Sequence, residues 1–332
     1  MTTLAITRPT IWRATLLALA VSLLVAVVAP HPGDATIMAG GITYARASDV
    51  TIAYMTNSDF GVAGGDDGTF QLEAVTAQTG ELNRVEDDLV FLGYPDGELA
   101  GVWVTAAPDA FVASTGLTAT YAERGLGLTD WYDYRTGSLD QHADYNKEAM
   151  IADMEALIDL RRPAHIFTGG PENRNTDYTT TYEVVAAALD NVVAANPGYG
   201  AVLHTTVVWH PDPVLDTKWP QDRDAAADII ADTDPSIVPP AVTTLADAGL
   251  VWADREQFVV PVALQDQVDA TNPKAQAIDD FVSQSGLGGF IGRFVHRDEI
   301  FWAEYVNYPV LSVSDASVVE GGNAVFTVSR TG

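Results

Sequence analysis

Cysteine is absent from this sequence of 332 residues, which excludes disulfides, thiolate zinc sites, iron–sulfur clusters and a cysteine nucleophile. Basic side chains are scarce: 17 Lys and Arg stand against 45 Asp and Glu, for a formal charge of -28. A phosphate backbone requires a basic surface, so this balance argues against a nucleic-acid partner. An anionic membrane surface would repel the chain for the same reason. The acid excess fits a secreted or salt-exposed protein and says little about fold. Hydrophobic residues make up 47% of the chain, which excludes wholesale disorder. The length suits one large α/β domain with an appendage, or two small domains.

Arg8 and Arg13 precede an uncharged stretch whose core, ATLLALAVSLLVAVVA, reads as a signal-peptide hydrophobic region or a single membrane anchor. Ala18-Leu19-Ala20 and the small residues near Ala29 offer cleavage sites. The end of the same stretch, Leu23 to Ala29, also reads as a buried first strand. Residues 1–29 are therefore expected to be an export signal or anchor overlapping that strand. The protein is expected to be extracellular, or membrane-anchored with an extracytoplasmic domain.

Beyond it, strand-like and helix-like runs alternate. Strands are expected at 23–29, 50–56, 89–92, 164–167 and 202–209, and helices at 35–47, 70–79, 145–160, 182–195 and 275–285. Residues 105–140 and 211–250 read as loops. Such alternation implies a Rossmann-like, mainly parallel sheet with helices on both faces. Ligands bind such sheets at the carboxyl ends of the strands. The turns at 31–34, 57–61, 94–97 and 169–178 are therefore the places where a site is expected.

Those turns carry a pattern. VVAPHPGDATIMAGGI resembles the A-H-P-D-D-E opening of the PIG-L/LmbE-like N-acetylglucosaminyl deacetylases, with the Gly-Gly helix that follows. VFLGYPDGEL, the run from Arg161 to Leu189, NPKAQAIDDFVSQ and VHRDEIFWAEY resemble later segments of that family, in order. The resemblance spans about residues 22–306. It implies a Rossmann-like fold with zinc at the strand ends and hydrolysis of an acetamide on an amino sugar, whether a small molecule or a glycan. His31 and Asp34 match metal ligands, and Asp96 and Asp177 match pocket residues. A catalytic zinc keeps three protein ligands and one open position, where bound water falls to a pKa of ~7.

The sequence departs from the pattern at the positions that do the chemistry. The general-base position is Gly33, which has no side chain, and the Glu after it is Ala35. The third ligand position is Tyr178, and the polarising His position is Asn175. Losing a general base costs ~10²–10⁴-fold. A phenol is also a poor ligand near neutral pH. Zinc binding is thus expected to be weak or absent. The chain reads as a deacetylase fold with a degenerate motif, or alternatively as an inactive carbohydrate-binding or surface-adhesion descendant. A rearranged site recruiting Asp59, His204 or His210 is a further alternative.

Read alone, Asp177 is also a candidate helix cap, His165 a core or supporting residue, and His142 and His296 surface residues. After Pro309 the chain alternates with period 2 and resembles the first strands of a Calx-β domain, so residues 309–332 are expected to form a partial Calx-β-like β-hairpin. The other strands of that sandwich are not in this segment, which argues against calcium binding at Asp315 and Glu320.

Overall fold

The structure, a computed structural model, describes residues 24–46, 49–64, 68–121, 134–135, 141–216, 219–220, 244–266, 269–306, 310–313 and 328–331. Most of the expected export segment, and residues 314–327 of the expected C-terminal hairpin, lie outside them. Elements follow in the order β1 (Val25–Ala29), α1 (Asp34–Ala45), β2 (Val50–Thr56), α2 (Thr69–Thr76), β3 (Leu89–Tyr94), α3 (Leu99–Val104) and α4 (Lys147–Arg161). Then come β4 (His165–Gly169), α5 (Thr176–Ala195), β5 (Ala201–Thr206), β6 (Glu256–Val259), α6 (Pro273–Asp279), β7 (Asp298–Val306), β8 (Val310–Val313) and β9 (Val328–Thr331).

Seven strands form one sheet in the order β3-β2-β1-β4-β5-β7-β6. The first five are parallel, while β7 runs antiparallel to β5 and β6 antiparallel to β7. The fold is thus α/β with a mixed sheet, as the alternating pattern implied. β8 and β9 pair antiparallel as a separate two-stranded sheet.

All five residues of β1 are buried, because both faces of the central strand are covered. Alternation then divides them. Val25, Val27 and Ala29 join a core with α1, α2 and α6, through Ile37, Met38, Val75 and Ile278. Ala26 and Val28 join the opposite core with α4 and α5, through Met150, Met154, Leu157, Val185 and Leu189.

Several boundaries differ from the sequence expectation. α5 begins at Thr176 rather than Tyr182, because Asn175 caps it: its side chain accepts the Asp177 N–H at 2.9 Å. Asp177 is therefore not the cap. The expected helix at 275–285 ends at Asp279 and gives way to a 3-10 turn at Val282–Gln284. α3, β6 and β7 were not anticipated. Being six, four and nine residues long, the first two are too short for periodicity to reveal. His296 is buried, not a surface residue, whereas His142 is exposed.

Candidate functional site

β1 is the switch point of the sheet, since the chain leaves it for β2 on one side and later returns to β4 on the other. A crevice at the carboxyl ends of β1 and β4 is where such folds place ligands. His31 follows β1, Asp59 follows β2, Asp96 follows β3, and Asp177 opens the helix after β4. The four turns converge there.

The His-Pro-Gly-Asp turn is closed on itself. Asp34 Oδ2 accepts the His31 backbone N–H at 3.0 Å and lies 2.7 Å from His31 Nδ1. The opposite ring nitrogen, Nε2, lies 2.9 Å from Asp96 Oδ1 and 3.2 Å from Asp177 Oδ2. Burial would lower the His31 pKa, but the Asp34 charge and the contacts with Asp177, Asp34 and Asp96 outweigh it and hold it well above the ordinary histidine value. Burial would likewise raise Asp96, yet the His31 contact and charge hold it below the usual range.

Asp177 is fully buried and fixed from the backbone. Its carboxylate accepts the Gly97 N–H at 2.6 Å and the Leu99 N–H at 3.2 Å. Gly97 has φ +70, and a Cβ there would come within 2.7 Å of the Phe60 ring, so only glycine lets this turn present its amide. Asp59 stands one layer back: it accepts the Asp96 N–H at 3.0 Å and the Tyr121 hydroxyl at 2.7 Å. Burial raises its pKa, and these two donors partly offset the rise.

Among the described residues, His31, Asp96 and Asp177 form a group that could hold a metal ion, with one ligand atom from each lying within 4.8 Å of the others. One imidazole and two carboxylates fit a divalent cation in place of the Nε2 proton, and the oxygen majority favours harder ions as much as zinc. Asp34, matched to a ligand by resemblance, sits on the other ring nitrogen, where a carboxylate orients an imidazole.

Tyr178 is buried beside the site, its ring 5.7 Å from the His31 ring. Burial, and then the Asp34 charge and contact, push its pKa well above 10, and its hydroxyl makes no well-formed hydrogen bond among the described residues. It does not supply an anionic ligand. Asn175 spends its side-chain oxygen on the α5 cap. At Gly33, a Cβ would meet the Gln284 amide at 3.0 Å (Nε2) and 3.2 Å (Oε1), so this amide stands where a base side chain would project.

Other residues considered earlier are elsewhere. His204 bonds His165 within the sheet, and buried His210 is tied into its own Asp212 turn. Asn173 was overlooked. Its amide donates to Gly170 and Thr206 carbonyls and accepts the Val208 and Trp209 N–H groups, latching the turns after β4 and β5. Asn in a polar turn beside two glycines was its only sequence signal.

Fold and site together define an α/β protein with a histidine–carboxylate cluster at the sheet switch point. Residues 26–189, just under half the chain, match the family model described as PIG-L, GlcNAc-PI de-N-acetylase. Among solved structures, a conserved protein from Thermus thermophilus is similar at 20% identity over 50% of this chain and 55% of that one, with a TM-score of 0.31. An N,N'-diacetylchitobiose deacetylase from Pyrococcus horikoshii is similar at 15% identity over 55% and 60%, TM-score 0.34. The zinc-inhibited form of a teicoplanin deacetylase is similar at 12% identity over 84% and 97%, TM-score 0.44. The chain thus spans 55% and 60% of the lengths of the first two. No curated protein matches. At these identities and scores the structural likenesses carry no reaction over to this chain.

Proposed function

We propose that this chain is a PIG-L-family protein whose site binds an N-acetylated amino sugar, on a small molecule or a glycan, and hydrolyses it slowly or not at all. The observation that carries this reading is Gly33: the hydrolytic base position has no side chain, and a neutral amide from Gln284 stands against it. An amide cannot take a proton from water at neutral pH. When bound at this site, zinc would supply Lewis-acid polarisation and a more acidic water. His31, Asp96 and Asp177 are the residues that would hold it, with Asp34 fixing the imidazole. Tyr178 contributes no charge there, so zinc is held weakly.

Acetate release from N,N'-diacetylchitobiose, measured with and without added zinc, tests the reading alongside direct binding of the same sugar. Saturable binding with acetate release at background is expected, and Asp96→Asn is expected to weaken that binding. Turnover at an ordinary enzymatic rate, ~1–10³ per second, would show that another group is the base. We further propose that the protein acts outside the cytoplasm, on the strength of the apolar segment within 1–29. The Calx-β-like alternation at 309–332 supports a surface context. Protease accessibility on intact cells checks this, and full protection would reject it. Among the described residues no helix is long and apolar enough to cross a membrane.

A further inference from the structure

A cavity of about 220 Å³ opens at the end of the sheet opposite His31. Its floor is the start of β1 and β4, where Val25 pairs in register with His165. Ile42, Phe167, Phe258 and Val260 make its apolar walls. Arg46, just past the end of α1, lies at its exposed rim.

Two features point to a ligand. The first is that the Arg46 guanidinium has no hydrogen bond or ion pair among the described residues. On a chain with 45 acidic side chains and 17 basic ones, an unpaired arginine at the mouth of an apolar cavity stands out. The second is His165 in the cavity lining, which ends a polar chain running back into the sheet. Glu256 Oε2 lies 2.5 Å from His204 Nδ1, and His204 Nε2 lies 2.9 Å from His165 Nδ1. With Nδ1 committed, the remaining nitrogen of His165 has no partner among the described residues. His204 itself is held flat against Phe167, with ring centroids 4.3 Å apart. Glu299 also lines the cavity, but its carboxylate is taken by Lys274 Nζ at 2.7 Å and by the Gly41 and Ile42 amides. It therefore presents no net repulsion to an anion.

We infer that this cavity is a binding site for a small carboxylate with a compact apolar body, such as an aryl or short branched alkyl acid. The apolar body would lie against Ile42, Phe258 and Val260. The carboxylate would pair with the Arg46 guanidinium, whose planar fork suits that group. The volume agrees: an apolar cavity of ~150 Å³ accepts benzene, and the remainder holds a carboxylate. Apolar walls with a few converging polar groups are the usual character of small-molecule sites. This site is independent of the His31 cluster and of the reading given to it.

The test is titration of the full chain with phenylacetate, followed by the methyl signals of Val25, Ile42 and Val260. Saturable shifts at those methyls are expected. Arg46→Gln, an exposed substitution that leaves the core intact, should weaken binding roughly tenfold, as should replacing the ligand by neutral phenylacetamide, since each removes a charged hydrogen bond. Asp96→Asn should leave phenylacetate binding unchanged. Absence of saturable shifts into the millimolar range overturns the inference. So does binding that survives Arg46→Gln undiminished, and so does binding that Asp96→Asn abolishes, which would place the ligand at the His31 cluster.

Discussion

At Gly33 the backbone is ordinary, with φ -76 and ψ -23, so the missing side chain is not dictated by conformation. An aspartate can adopt this backbone conformation without strain. The three atoms that a Cβ there would meet first all belong to the end of a flexible glutamine, which can swing aside. The pair Gly33→Asp, Tyr178→His is therefore expected to fold and to raise zinc affinity over the parent, with modest acetate release. Zinc titration by calorimetry and an acetate assay would check it. Unchanged zinc affinity in the folded variant would mean that Tyr178 does not occupy a ligand position. Asn175 is better left alone. As the α5 cap it is worth about 1 kcal/mol, and Asn175→Ala should lower the unfolding free energy by that amount in a urea titration. His31, Asp34, Asp96 and Asp177 could all be singled out in the sequence, because each lies in or just beyond a short polar turn after an apolar run, but their grouping was expected differently: His31 with Asp34 as ligands, and Asp96 and Asp177 as pocket residues. Gln284 could not be: its relevance arises from a contact with Gly33 across the fold, and no local pattern encodes such a contact.

α1 is broken at its centre. Ala39 leaves helical geometry, with φ -139, which strands the amides of Gly41 and Ile42 and the carbonyl of Ile37. Buried backbone groups need partners. The Glu299 carboxylate accepts both amides, at 2.6 and 3.1 Å, and Lys274 Nζ donates to the Ile37 carbonyl at 3.2 Å and to Glu299 at 2.7 Å. Three segments far apart in sequence thus build one buried joint. Breaking a buried ion pair leaves a charge uncompensated, so Lys274→Met should destabilise the protein by about 3–5 kcal/mol in chemical denaturation. Gly41→Ala would ordinarily stabilise a helix. Here its Cβ would come within 2.4 Å of Val260 Cγ1, so a loss of about 1–3 kcal/mol is expected instead. A gain in either case would show that the joint is looser than the distances imply. The helix itself was legible from its apolar pattern; the break was not, because its partners lie on α6 and β7.

Over the whole molecule, burial of titratable groups sets a pH dependence of stability. Burial lowers His204 from the ordinary histidine value of 6.5 to about 4. The folded protein therefore binds fewer protons there than the unfolded chain between those values. This contribution is complete above pH 6.5 and is lost progressively as the pH falls toward 4. Its upper size is about 3 kcal/mol, reduced by the attraction of Glu256 for a protonated ring. His204→Gln should flatten the stability profile between pH 6.5 and 4, measured by thermal unfolding across that range. An unchanged slope would assign the pH dependence to other groups.

Local chemistry in the sequence was enough to set the class of fold and the neighbourhood of the site. Alternating apolar runs specify buried parallel strands and covering helices, and polar turns after them specify where a ligand can reach backbone and carboxylates together. Only the tertiary structure decided which groups meet. It put Asp34 on one nitrogen of His31 and Asp96 with Asp177 on the other, and it gave Asn175 to a helix cap. It also added antiparallel β6 and β7 to the sheet edge and opened a second cavity at the far end. The physical reason is range. Propensity and periodicity act over a few residues, whereas hydrogen-bond satisfaction and burial are settled between segments hundreds of residues apart, as Gly41 and Glu299 are.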